Sequence, residues 1–227
     1  MRRCAKPSRA GCASTRWSRW WWAQVAGRPS SGAAHRVRIV GGRWKRTPLG
    51  VVDAEGLRPT PDRVRETLFN WLADEVAASV CLDLFAGTGA LGLEAASRGA
   101  AAVWLVESDR NAADAIEATL ARLREANEVV RLVRGSAESA LRLAAREGAR
   151  FNLVFLDPPF GRGLLARIAP ALAPVLAPEA TVYVESEAAL DAETATKLFS
   201  RPCRVVRHGR AGQVFYHLLR CSLPMEG

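Results

Sequence analysis

What most restricts this chain is a rhythm. Short runs rich in β-branched and apolar residues, VCLDLF (80–85), AVWLVE (102–107), VVRLVR (129–134), NLVFLD (152–157) and ATVYVES (180–186), alternate with Ala-, Leu-, Glu- and Arg-rich segments of helical character. Five alternations of that kind predict parallel strands joined by helical crossovers, a doubly wound sheet. The end of the chain breaks the pattern. CRVVRHGRAGQVFYHLL holds two strand-like runs joined by Gly-containing residues, an antiparallel hairpin closing one edge. The expectation is an α/β fold with a mostly parallel, seven-stranded sheet.

Upstream of that rhythm, RVRIVGGRWKRTPLGVV alternates basic and apolar residues around Gly41 and Gly42 and reads as a small hairpin. RPTPDRVRETLFNWLADEVAAS then opens a helix, with Thr60 as N-cap and Pro61 in the first turn. Val64, Leu68 and Leu72 recur at i, i+4 and i+8 with Phe69 and Trp71 beside them, which gives the helix one buried face. Three regions follow from this reading: an extension over 1–35, a hairpin and helix over 36–78, and the sheet domain over 79–222.

The net charge of +9 invites a nucleic-acid reading, so its location matters. Seven of the 32 basic residues, and no acid, lie in the first 35 positions, which also carry four Trp between Trp17 and Trp22. That stretch has no helical period. It is expected to be a disordered extension or an over-extended start, with an RNA-binding arm or a targeting segment as the other readings. Within the rest, Arg36, Arg38, Arg43, Lys45 and Arg46 cluster around Trp44 without an acid, a better nucleic-acid footprint than the whole-chain charge. Five scattered cysteines, never spaced as CxxC, argue against a disulfide framework or a zinc site and for a reducing compartment, here the cytoplasm. No window approaches the ~18 apolar residues of a membrane span.

LDLFAGTGALGLEAASRGA follows the first strand and enters a helix. Gly87 to Gly92 is literally G-x-G-x-x-G, and Glu107 ends the next strand, so a nicotinamide cofactor has to be considered. Asp83, four residues before Gly87, points elsewhere. A carboxylate at that strand end opposes a pyrophosphate and suits a cofactor carrying an ammonium and a sulfonium. Acid-x-x-x-G-x-G is the spacing of S-adenosylmethionine sites. In such a site Phe85 lies in the loop, Gly87 and Gly89 let the backbone approach the ligand, and Glu107 accepts from ribose hydroxyls. After the third strand, Ser136 and the Ala137 amide are placed either to meet the adenine or, for Ser136, to cap the next helix.

The fourth strand stops at Asp157, Pro158, Pro159 and Phe160. Proline has no N–H and a fixed φ, so the ladder ends there stiffly. An exocyclic amine is a poor nucleophile because its lone pair is conjugated into the ring. If Asp157 and the Pro158 carbonyl both accept from that amine, its nitrogen is drawn toward tetrahedral geometry and its lone pair is freed for attack. Phe160 offers a face on which a base can stack.

These motifs resemble the RsmD family, the bacterial enzymes that methylate guanine N2 in 16S ribosomal RNA. RIVGGRWKRTPL, LRPTPDRVRETLFNWL, CLDLFAGTGALGLEAASRGA, LDPPFGRGLL, YVESE and AGQVFYHL carry the resemblance in order, from Arg36 to about Leu219. It implies a Rossmann-like methyltransferase fold, S-adenosylmethionine as cofactor, and 16S rRNA, the small subunit or an assembly intermediate as partner, with the chain acting as a monomer. Asp157 to Phe160 match the family's catalytic loop; Asp83, Gly87, Gly89 and Glu107 match its cofactor site. The block with Arg58, Thr60, Arg63, Arg65 and Glu66 matches the segment expected to cap the methionine end of the cofactor and to help hold RNA. Adenine N6, a glutamine amide, and a catalytically silent RNA-binding module are the competing readings.

Overall fold

The computed structural model describes residues 37–50 and 62–223; Arg36, Arg58, Thr60 and the 1–35 stretch lie outside the described residues. Residues 37–50 form a turn-rich hairpin whose two arms share one antiparallel bridge, Arg38 to Pro48. Helix α1 (Asp62–Leu72) follows and buries Val64, Arg65, Leu68, Phe69 and Leu72. Its buried face is the one expected from the apolar spacing, with Arg65 added to it.

The sheet consists of β1 (Val80–Asp83), β2 (Ala102–Glu107), β3 (Val130–Arg134), β4 (Phe151–Leu156), β5 (Leu176–Ser186), β6 (Cys203–Ala211) and β7 (Val214–Ser222), in the order β3-β2-β1-β4-β5-β7-β6. The first five strands are parallel to their neighbours, and β7 runs antiparallel to both β5 and β6. Crossovers are made by α2 (Ala90–Ser97), α3 (Arg110–Leu120), the short α4 (Ala126–Val129), α5 (Ala137–Arg146) and α6 (Leu164–Ile168), while α7 (Ala192–Phe199) precedes the final hairpin. Central strands are apolar on both faces because helices cover both: Leu82, Leu105, Val154, Phe155 and Val182 are all buried. Each such side chain contributes roughly 1.5–3 kcal/mol by leaving water.

Four of the expected strand positions match within a residue or two. The fifth strand starts four residues early, at Leu176, which pairs with Phe151 before the register shifts. One expectation fails. Cys203 and Cys221 face each other across β6 and β7 and form a disulfide, with their Cα atoms 4.1 Å apart. Sequence spacing misled here because hairpin register, not a Cys motif, brings the two together.

Strand order reverses between β1 and β4. In an open α/β sheet, the crevice beyond the carboxyl ends at such a reversal is where ligands bind. The register sets Asp83 opposite Phe155, so Asp83 and Asp157 flank that crevice from its two sides.

Candidate active site

Asp83 ends β1 and is buried, and its Oδ2 accepts from the Gly92 amide at 2.9 Å. Glycine is required at position 92: an added Cβ would stand 2.2 Å from Leu105 Cδ2 and 3.2 Å from Asp83 Oδ2. Burial pushes the Asp83 carboxyl up to about 7; the Glu107 charge adds to the rise, and backbone N–H groups of Gly92 and Phe85 oppose it. The carboxylate thus lies under the loop, holding it to the strand end, rather than standing free in the cleft as its position in the motif suggests. Gly87 and Gly89 have φ of +54° and +76°, the left-handed backbone that lets this loop turn tightly.

Glu107 closes the loop from β2. Its Oε2 accepts from the Gly87 amide and its Oε1 from the Asp109 amide, both at 2.7 Å. Each carboxylate oxygen keeps a second lone-pair site, so these bonds fix the group and leave it able to accept from hydroxyls. Ser136 caps α5 by accepting from the Ser139 amide, and Ala137 begins that helix as a buried residue. Phe85 packs partly buried against the core cluster.

Across the crevice, Asp157 follows β4 half-buried, Pro158 is buried, and Pro159 and Phe160 are exposed, Phe160 at 42%. The chain beyond is tied back where the Gly161 amide donates to Glu187 Oε1 at 2.7 Å. Beside Asp157 lies a buried group that composition and spacing left without a role. Tyr183 donates its hydroxyl to Glu185 Oε1 at 2.8 Å, and Tyr216 sits opposite Glu185 on β7. Burial, then the Glu185 charge, holds Tyr183 well above the usual phenol range, and Asp157 adds to it; the same two leading causes lift Tyr216 to about 12. Both hydroxyls therefore stay protonated as donors. The signal in the sequence was the alternation Tyr183, Glu185, which puts both on one face of β5.

Helix α1 covers this face. Glu75, just past its end, accepts from the Thr181 hydroxyl at 2.8 Å, Trp71 stacks near Tyr216 at 5.6 Å, and Phe69 meets Phe155 at 5.9 Å. Arg65 is fully buried; its Nη2 donates to Asp62 Oδ1, while Nε and Nη1 have no hydrogen-bond partner among the described residues.

Two expected RNA contacts are corrected by burial. Arg65 offers nothing to a surface ligand, because it lies on the buried face of α1 with Leu68 and Phe69. Trp44 is buried too, and its Nε1 donates to the Arg124 carbonyl at 3.2 Å, so it anchors the hairpin. Arg63, Lys45, Arg43 and Arg46 are exposed. Arg43 lies over the Trp44 ring at 4.3 Å with Glu125 3.9 Å away, and Arg38 pairs with Asp62 at 3.2 Å. Arg38, Arg46, Pro48 and Asp62 line a cleft of about 430 Å³ between hairpin and helix.

A doubly wound sheet with an antiparallel β7, an acid and left-handed glycines after β1, an acid ending β2 and Asp-Pro-Pro-Phe after β4 define the class: a Rossmann-like, S-adenosylmethionine-dependent methyltransferase. The family model described as Conserved hypothetical protein 95 matches residues 37–220, and the chain belongs to that family. Ribosomal RNA small subunit methyltransferase D of Escherichia coli K12 is 46% identical over 193 residues, 84% of this chain and 93% of that protein. Among solved structures, yhhF from Escherichia coli aligns at TM-score 0.69 and 42% identity over 83% of this chain and 99% of its own. The 16S rRNA N2 G1207 methyltransferase RsmC of T. thermophilus, solved with AdoMet and guanosine, aligns at TM-score 0.60 and 25% identity over 86% and 52%.

Proposed function

We propose that this protein transfers the methyl group of S-adenosylmethionine to the exocyclic N2 of a guanine in 16S ribosomal RNA. The coarser part, methylation of small-subunit rRNA, rests on family membership. The observation that carries the amine chemistry is the placement of Asp157 and the Pro158–Pro159–Phe160 turn across the strand reversal from Asp83. Guanine N2 as the acceptor is supported by the family resemblance of that loop and by the likeness to a solved guanine-N2 enzyme.

The residues present fit the cofactor. It supplies an electrophilic methyl on a sulfonium when bound. The Asp83 carboxylate, beneath the Gly87 to Gly89 loop, places negative charge where a cation is to be held, and Glu107 retains acceptor sites for a ribose. Arg65 suits the methionine carboxylate better than the exposed Arg63, since a buried guanidinium with two nitrogens unpartnered among the described residues is short of an anion. On the acceptor side, Asp157 and the Pro158 carbonyl accept from the amine, and Phe160 stacks on the base, worth roughly 1–3 kcal/mol. Arg38, Arg43, Lys45 and Arg46 give phosphate contacts without sequence choice.

The test is incubation of the protein with labelled S-adenosylmethionine and small subunits or rRNA from a strain lacking the gene, followed by nucleoside mass spectrometry. Label in N2-methylguanosine is the expected result. Label in N6-methyladenosine, or in protein, would replace the acceptor, and no label in any acceptor would overturn the reading.

A further inference from the structure

The basic hairpin is fastened to α2 through two buried side chains, Glu94 and Ser97. Glu94, on the second turn of α2, is fully buried, and its carboxylate accepts from the Val40 amide at 2.6 Å, the Gly41 amide at 2.7 Å and Arg98 Nε at 2.7 Å. One turn on, Ser97 Oγ accepts from the Trp44 amide at 2.9 Å and donates to the Gly41 carbonyl at 2.6 Å. The Ser97 carbonyl accepts from the Arg43 amide at 2.8 Å. Gly42, at φ +73°, lies so close that an added Cβ would stand 1.9 Å from that carbonyl oxygen. The hairpin's two arms are also joined to each other, the Ile39, Arg46 and Leu49 amides donating to the Thr47, Ile39 and Val37 carbonyls at 3.0, 2.8 and 2.8 Å.

The helix that grips the hairpin is also the helix of the cofactor loop. Asp83 binds its Gly92 amide, and it begins directly after Gly87 and Gly89. Arg98, held by Glu94, lies over the Phe69 ring at 4.9 Å, and Phe69 meets Phe155, two residues before Asp157. The hairpin and the cofactor loop thus meet on one helix, but by different bonds: Glu94 and Ser97 hold the hairpin, whereas Asp83 and Glu107 hold the loop. Bonds to a carboxylate are among the stronger ones, and removing that acceptor leaves three part-buried donors unmet at once.

We infer that Glu94 is a positioning residue for the RNA acceptor, fixing Arg43, Lys45 and Arg46 on the helix that carries the methyl-donor loop. This rests on the reading of those three side chains as RNA contacts. The full-length protein tests it through Glu94→Ala, Glu94→Gln and, from the opposite side of the contact, Gly42→Ala. Hydrogen exchange at the Val40 and Gly41 amides should accelerate at least about tenfold in Glu94→Ala, and the KM for rRNA should rise by about tenfold or more. Turnover at saturating RNA and the Kd for S-adenosylmethionine should stay within about twofold of wild type, which a general loss of fold would not allow. Glu94→Gln keeps one acceptor oxygen and should recover part of the RNA affinity; Gly42→Ala should reproduce the Glu94→Ala pattern without touching the carboxylate. Fast exchange with unchanged RNA affinity would overturn the inference, as would slow exchange in Glu94→Ala or a parallel loss of cofactor affinity. A wild-type protein that binds rRNA but methylates nothing would refute the functional reading alone, because exchange and RNA affinity still decide the role of Glu94.

Discussion

The Asp83 carboxylate and the Gly92 amide, 2.9 Å apart, join the end of β1 to the first turn of α2 across the glycine loop. The same carboxyl is pushed up to about 7, by burial first and by the Glu107 charge second. A buried acid whose folded value lies above its ordinary 3.8 binds its proton more tightly folded than unfolded. Its effect on stability is therefore most favourable at acid pH and declines as pH rises from about 4 through about 7. The ligand-free protein should lose a few kcal/mol, at most about 4, over that interval, read as a falling Tm at fixed ionic strength. Asp83→Asn should flatten this slope, since its carbonyl oxygen can still accept from Gly92.

Cofactor binding should run the opposite way with pH. A cationic ligand beside Asp83 favours the ionised carboxylate, so affinity for S-adenosylmethionine should increase as pH rises through about 7, with proton release below that value. Calorimetry in two buffers of different ionisation enthalpy reads the released proton directly. A pH-independent affinity, with no proton released, would remove Asp83 from the cofactor's charge balance.

Asp157 separates chemistry from binding. It is placed to grip the acceptor amine, so Asp157→Ala should lower turnover by roughly 10²–10³ while cofactor affinity stays within about twofold. Asp157→Asn keeps an accepting oxygen and should be markedly milder. Equal losses in turnover and cofactor affinity would make Asp157 a structural support of the β4 end.

Much of the fold was legible because strand and helix periods are local. Leu82, Val154 and Phe155 sit in continuous apolar runs, and such runs between helical segments leave few alternatives to a parallel sheet. The places of Asp83, Gly87, Glu107 and Asp157 are legible because each ends or follows a strand or opens a loop at a fixed spacing. Arg65 and Trp44 were misjudged because charge and indole ring say nothing of which way a helix face or a turn points. Only packing decides that: Phe155 beneath α1, and Arg124 offering its carbonyl to the indole. Glu94 was invisible for a related reason. Its partners are backbone amides about 53 residues away, and backbone donors leave no mark in a sequence.

Arg65 can be tested without relying on catalysis. Asp62, part-exposed and also paired with Arg38, keeps a partner when Arg65 is replaced, so Arg65→Met should change the Tm of the ligand-free protein little. If Arg65 holds the methionine carboxylate, the variant should lose about tenfold or more in affinity for S-adenosylhomocysteine and almost none for methylthioadenosine, which lacks the amino-acid end. Equal losses for the two ligands would assign Arg65 to packing instead.

The hairpin's exposed cations predict a salt dependence. Each phosphate neutralised adds roughly 0.7–0.9 to the slope of log affinity against log salt. Lys45 and Arg46 are exposed and make no ion pair among the described residues, whereas Arg43 is shared with Glu125 and Arg38 with Asp62. Lys45→Ala with Arg46→Ala should therefore flatten the slope by about 1–2 and weaken rRNA binding at low salt, with little change near 1 M. Trp44→Ala should act differently: the ring is buried under Arg43 and tied to Arg124, so its loss should lower Tm as well as RNA affinity. Filter binding across a salt series, paired with thermal melts, separates a lost phosphate contact from a loosened hairpin, and an unchanged slope in the double variant would move the RNA path off this face.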